Sequence, residues 1–198
     1  MTDDNYIGVT TGTIATACSL AALDAIIDSP DIACVNVETP KKTLDIIIDE
    51  CKKLSSFKAQ ASAHKNPYND PDVTVNLEIT ATVELLDKSD EDSKGIITGG
   101  VGVGKVTKPG LQIPVGDYAI NPVPRRMIVK NLEEKIPEGK MAKVTISIPE
   151  GVEIARKTMN PKLGIVGGIS VLGTTGIARS MSSDAYKNSI VTQIDVAI

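Results

Sequence analysis

The chain has 198 residues, 41% hydrophobic and 23% charged, with a net charge of −4 and a pI near 5.1, which suits one globular domain, or one and part of another. Aromatic residues are 3% of the chain, with no Trp and one Phe, which excludes a stacking platform for single-stranded nucleic acid; the acidic balance excludes general polyanion binding. No apolar run approaches the roughly 20 residues that cross a bilayer, and Met1-Thr2-Asp3-Asp4 lacks the basic start of a secretory signal, so the expectation is a cytoplasmic protein.

Taken in chain order, Thr13–Ile27 reads as a helix, rich in Ala and Leu and opened by a Thr/Gly cluster. Apolar residues lie nearly all round it, so it should be buried, and Pro30 should end it. Ala33–Glu38 and Thr43–Asp49 read as a hairpin turning at Pro40-Lys41-Lys42. Val73–Leu85 alternates apolar and polar residues over thirteen positions, the pattern of a half-buried strand. Asp87–Lys94 reads as a charged loop. Ile96–Thr98 and Lys105–Thr107 are short strand candidates around a glycine run. Asn121-Pro122 should open a helix to about Ile136, with Asn at the cap and Pro in the first turn. Val144–Ile148 reads as a strand, Val152–Lys157 as a short helix and Ser183–Ile198 as a last helix, whose apolar pattern suggests a further C-terminal part. Hairpins with separated helices point to an α+β fold with a mixed or antiparallel sheet.

Candidate functional residues cluster in a few segments. Gly8-Val9-Thr10-Thr11-Gly12-Thr13 and the stretch from Asn160 to Gly176 are Gly/Thr-rich, the composition of a polar site built largely from backbone. Thr10, Thr11 and Thr13 either cap the first helix or leave its N-terminus to an anion. Gly99-Gly100-Val101-Gly102-Val103-Gly104-Lys105 departs from a phosphate loop because Val106 follows the lysine; a twisted turn, a substrate contact and nucleotide binding all stay open. Between Gly99 and Lys130 stand Lys105, Lys108, Arg125, Arg126 and Lys130 against one acid, Asp117. Cations in the first turn of a helix oppose its dipole, so Arg125 and Arg126 are either solvated charge or part of an anion-binding patch, where guanidinium grips carboxylates well. Asn69-Asp70-Pro71-Asp72 is either an Asx-type turn or a pair of acids for a metal or proton transfer. His64 reads as a surface or packing residue, with a catalytic role the alternative. Cys18, Cys34 and Cys51 fit no metal or redox spacing and should be reduced, mostly buried thiols.

Several motifs in fixed order carry a family resemblance. Gly8–Thr13, Asp70-Pro71-Asp72-Val73-Thr74, Gly104-Lys105-Val106-Thr107-Lys108-Pro109-Gly110-Leu111 and Ala119-Ile120-Asn121-Pro122-Val123-Pro124-Arg125-Arg126-Met127-Ile128 come first. Lys157–Ser170 and Leu172-Gly173-Thr174-Thr175-Gly176-Ile177 follow. Together they closely resemble the cobalt-precorrin-5B C1-methyltransferase (CbiD) family of anaerobic cobalamin biosynthesis. The resemblance implies S-adenosylmethionine as methyl donor and a corrinoid as acceptor: methylation of ring carbon C-1 of cobalt-precorrin-5B gives cobalt-precorrin-6A. Cobalt then belongs to the substrate, and no protein metal site is implied. Family members continue into a Rossmann-like α/β region, so residues 1–160 should form the N-terminal α+β domain and 161–198 the start of that second region. The motif residues carried over as substrate or cofactor contacts are Thr10, Thr11, Gly12, Thr13, Asp72, Lys105, Lys108, Asn121, Arg125, Arg126, Asn160, Gly167, Gly168, Ser170, Thr174 and Thr175. No catalytic base is assigned. Ile14 stands where members usually have Cys or a similar small residue. Lys65-Asn66-Pro67-Tyr68-Asn69 replaces a more acidic stretch, and Arg179-Ser180-Met181-Ser182 replaces Arg-Pro-Met-Ser. A non-catalytic corrinoid-binding domain and a small-molecule kinase are the competing readings.

Overall fold

The computed structural model describes residues 8–28, 31–68, 72–88, 95–178 and 183–197. The first half contains β1 (Gly8–Val9), α1 (Thr11–Ile27), the hairpin β2 (Cys34–Glu38) and β3 (Thr43–Ile47), then β4 (Glu50–Ser55), β5 (Lys58–His64) and β6 (Glu78–Asp87). The second contains β7 (Gly95–Gly99), β8 (Lys105–Val106), α2 (Pro122–Leu132), β9 (Lys140–Ser147), α3 (Gly151–Ala155), β10 (Ile165–Val166), β11 (Ile177–Ala178) and α4 (Ser183–Ala197). The fold is α+β. Its main sheet has the order β4-β5-β6-β9-β7, antiparallel except for the parallel pair β7–β9.

One face of this sheet carries α1. Ala59, Ala61 and Ala63 of β5 and Ala81 of β6 are buried there, opposite a helix that buries Ala15, Ala17, Ala21, Ala22 and Ala25. Small residues on both surfaces let helix and sheet approach closely, and the bulk comes from Ile14, Leu23, Ile79 and Ile146 around them. The helix is buried on nearly every side, and two of its polar side chains are satisfied within it. Thr16 and Ser19 donate to the Gly12 and Ala15 carbonyls at 2.8 and 2.7 Å. The cysteines are unpaired: Cys18 Sγ donates to Ile79 O at 3.1 Å, Cys51 is half-buried and Cys34 exposed. Burial pushes the Cys18 thiol up, with the nearby Asp49 charge adding to it. The outer sheet face is polar, with a shallow cleft of about 220 Å³ lined by Glu50, Lys52, Gln60, Ser62, Glu78 and Thr80.

Two strand expectations change. Residues 50–64, given no strand above, form β4 and β5, whose inner face is mostly alanine rather than β-branched. The long alternating strand begins at Glu78, not Val73. Residues 73–76 form turns instead, with Asn76 at φ 61°, because Asp72 accepts from the Thr74 N–H and hydroxyl at 2.8 and 2.6 Å and folds the chain back. Helix α2 ends at Leu132, short of Ile136. Pro30, Asn69, Asp70, Pro71 and most of 87–94 lie outside the described residues.

A second, smaller core lies beside the first: Val106, Ile113, Ala119 and Ile165, with Leu111 and Leu163 packed on it. Residues past 160 return into the body of the fold. β10 pairs antiparallel with β8, and β11 with β1.

Candidate functional site

Thr10 caps α1, accepting from the Thr13 N–H at 3.2 Å. Segment 170–176 then closes the same end. Gly12 N–H donates to Leu172 O at 3.0 Å, Thr13 Oγ1 to Gly176 O at 2.6 Å, and Thr11 Oγ1 accepts from Leu172 N–H at 3.0 Å. Thr10, Thr11, Gly12 and Thr13 are all buried. Of the two readings of these threonines, the geometry takes the cap, with a chain carbonyl standing where an anion would. The second Gly/Thr segment is brought to the first, but Thr174 and Thr175 face solvent while Thr11 and Gly12 do not. The Thr175 hydroxyl donates to Ile177 O at 3.1 Å.

The glycine run is a backbone crossing. A methyl group on Gly102, at φ +72°, would overlap Ile148 O; one on Gly151 or on Gly168 would overlap Gly102 O. Three segments therefore meet main chain to main chain, which only residues without Cβ allow. The N–H groups of Gly100, Val103 and Gly104 donate to Ile146, Gly100 and Ile169 carbonyls at 2.7, 3.3 and 2.9 Å, so those amides do not cradle a phosphate. Gly167, with φ +81°, is exposed and has open space around it.

Asn121 precedes α2, and its N–H donates to Val171 O at 3.0 Å. Pro122 and Pro124 lack N–H groups, so this helix end offers an anion little backbone help. Arg125 is drawn inward: Nε donates to Ile120 O at 3.0 Å and Nη1 to Ile97 O at 2.8 Å. It thereby fastens α2 to β7, an edge strand of the main sheet. Arg126 is exposed. Asn160 and Ser170 are buried together, Ser170 Oγ donating to Asn160 Oδ1 at 3.4 Å.

Asp72 takes part in a compact ionic knot. It pairs with the buried Lys65 ammonium and accepts from Tyr68 Oη at 2.7 Å, and Lys65 Nζ also donates to Thr74 Oγ1 at 2.8 Å. Burial alone would raise the Asp72 carboxyl, but the bonds from Lys65, Thr74 and Tyr68 hold it well below the usual carboxylate range. The Tyr68 ring lies against Gly8, so the knot buttresses β1 and the start of α1. His64 pairs with Asp49, Nδ1 to Oδ2 2.7 Å, at the exposed edge of β5.

The remaining cations are of two kinds, and Lys41, Lys88 and Lys143 of the sheet half, like Lys157, have no carboxylate partner among the described residues. On the sheet and helix half, Lys52, Lys58, Lys130, Lys135 and Lys140 pair with Glu50, Glu84, Glu38, Asp24 and Asp87. Lys105, Lys108, Arg126 and Lys162 are exposed and have no carboxylate partner among the described residues. No helix among the described residues is long and apolar enough to cross a membrane, and none of their His, Cys, Asp and Glu residues forms a three-ligand metal cluster.

The arrangement is an α+β domain with an anchored interior and a cationic flank, and a solved structure shares the fold. The crystal structure of the cobalamin biosynthesis protein CbiD from Archaeoglobus fulgidus is similar with a TM-score of 0.63 and 28% identity, over 94% of this chain and 58% of that one. The CbiD family profile matches residues 2–180, and the chain belongs to the CbiD family. A protein of Methanobrevibacter smithii named cobalt-precorrin-5B C(1)-methyltransferase is 79% identical over the whole chain, and one of Methanosphaera stadtmanae with the same name is 54% identical over 96% of it. The chain spans about half the length of these relatives, 55% and 49%.

Proposed function

We propose that this chain is the substrate-binding part of a C-methyltransferase that moves a methyl group from S-adenosylmethionine to C-1 of cobalt-precorrin-5B, giving cobalt-precorrin-6A in the cytoplasm. The observation that carries the reading is the 79% identity along the entire chain to a protein of that name. The unpaired cations agree with it, since a corrinoid intermediate bears acetate and propionate groups round its rim.

The reaction is a displacement at the methyl carbon. A ring carbon supplies the electron pair, the S–CH₃ bond breaks, a C–CH₃ bond forms, and S-adenosylhomocysteine leaves neutral. The protein's work is alignment of donor and acceptor, which accounts for roughly 7–11 kcal/mol of a barrier when complete. Lys105, Lys108 and Arg126 are placed to hold carboxylates. Thr174, Thr175 and Gly167, exposed on bends of the chain, offer neutral hydrogen bonds to substrate or donor. Thr10–Thr13, Asn121, Arg125, Asn160, Gly168 and Ser170 act one step back, fixing the segments that carry those groups, and Asp72 does so through Lys65. No base is assigned, and cobalt enters only with the substrate.

The test combines two readouts on the purified chain: spectroscopic titration with cobalt-precorrin-5B, and mass analysis of the corrinoid after incubation with methyl-labelled S-adenosylmethionine. Binding with slow or no label transfer is expected, since the relatives are about twice as long. Absence of corrinoid binding contradicts the proposal.

A further inference from the structure

We propose that the outer face of the β8–β10 ribbon seats the carboxylate-bearing rim of the macrocycle, with Lys105, Lys108 and Lys162 as its cations and Val166 as its apolar floor. The proposal rests on the corrinoid reading above and assigns it a surface.

The register sets this face. Lys105 stands opposite Val166 and Val106 opposite Ile165, and directly opposed residues of an antiparallel pair share a face. Val106 and Ile165 are buried in the smaller core, so Lys105 and Val166 point out together, Val166 being 58% exposed. A β-branched residue that exposed, beside bare backbone at Gly167, forms a flat apolar step.

Two of the three cations beside that step, Lys105 and Lys108, have contacts that order their side chains. Lys105 Nζ sits 4.8 Å from the centroid of the Tyr118 ring, which itself lies against Gly99. The Lys108 stem lies along Gly164, and the adjoining Thr107 donates both N–H and Oγ1 to Gly164 O, at 2.8 and 2.7 Å. Lys162 is exposed two residues before Gly164. Asp117 is the one acid between Lys105 and Lys130, and it forms no ion pair with these lysines. Ammonium groups without a carboxylate partner among the described residues, beside an exposed apolar residue, match a flat ring with carboxylates at its edge.

The probes are cobyrinic acid, a cobalt corrin with free carboxylates, and its neutral methyl ester, titrated by absorbance. The wild-type chain should bind the acid more tightly than the ester. The triple variant Lys105→Gln/Lys108→Gln/Lys162→Gln should lose about thirtyfold in affinity for the acid, about threefold per exposed ion pair, and little for the ester. Val166→Asp should weaken both. A triple variant with the same charge change elsewhere, Lys41→Gln/Lys52→Gln/Lys143→Gln, should bind as wild type. Undiminished binding by the first triple variant, or equal losses in both, overturns the surface while leaving the corrinoid reading intact. Binding of neither probe by the wild-type chain overturns that reading, and the surface with it.

Discussion

The half of the molecule around α1 and the half around the glycine crossing solve opposite problems. Around α1 two charges near the core are paired: Lys65 is buried against Asp72, and Lys135 reaches Asp24 on the helix itself. Surface pairs of that kind contribute about 0–1 kcal/mol each, so they keep charges satisfied more than they hold the fold; alanine packing and the Lys65 knot hold it. Around the crossing, three backbones touch and no side chain fits between them, yet Lys105, Lys108, Arg126 and Lys162 have no carboxylate partner among the described residues. A region rigid at its centre and uncompensated at its rim has the build of a binding surface, whereas the α1 half has the build of a foundation.

Substitutions in the two halves should differ in what they cost. The largest loss is expected for Asp72→Asn, which leaves Lys65 buried without a counter-charge and should cost about 4 kcal/mol in urea unfolding. The same variant should change the acid limb. The folded Asp72 carboxyl is held low, so its stabilisation is whole above the unfolded value near ~3.9 and fades as pH falls below that and through the folded value. Asp72→Asn should therefore flatten the pH dependence of stability below about pH 4, and an unchanged acid limb would remove the knot from the account.

Gly102→Ala tests the crossing. It adds a Cβ at φ +72° against Ile148 O and should cost about 3 kcal/mol, read as a lowered urea midpoint. Arg125→Ala should cost about 2 kcal/mol, because two charge-assisted bonds to carbonyls are lost. Arg126→Ala should stay within about 0.5 kcal/mol of wild type, and equal effects from the two arginines would erase the distinction drawn here. The smallest effect on folding is expected for Lys105→Gln, also within about 0.5 kcal/mol. Calorimetric melting of that variant should overlay wild type even as its affinity for a polycarboxylate corrin falls.

Much of the foundation is legible in the sequence. The Ala/Leu density of residues 13–27, the turn at Pro40 and the Asn-Pro start of α2 each rest on local chemistry, and each element stands close to its expected place. β5 escapes because Lys-Ala-Gln-Ala-Ser-Ala-His has the small residues that a close-packed helix requires, not those that favour a strand in isolation. The start of β6 is masked by alternation that runs on through a turn fixed by one Asp–Thr contact. The rim is harder to read. Arg125 and Arg126 look alike in the chain, and only the folded structure shows one of them bonded to Ile97 O, 28 residues earlier. The glycine run resembles a ligand loop by composition because close backbone approach calls for the same residue whether the neighbour is a ligand or another strand. Local chemistry does not single out Lys162; the pairing of β10 with β8 brings its segment beside that of Lys105.

If corrinoid binding belongs to the second half, it leaves the foundation untouched. The most direct measurement is a two-dimensional amide NMR titration of the labelled chain with cobyrinic acid. Shift changes should concentrate at residues 103–108, 118 and 162–168, with the amides of β4, β5 and β6 unmoved. Changes concentrated instead at the polar cleft of Glu50, Lys52, Gln60 and Glu78, or spread evenly over the chain, would contradict it.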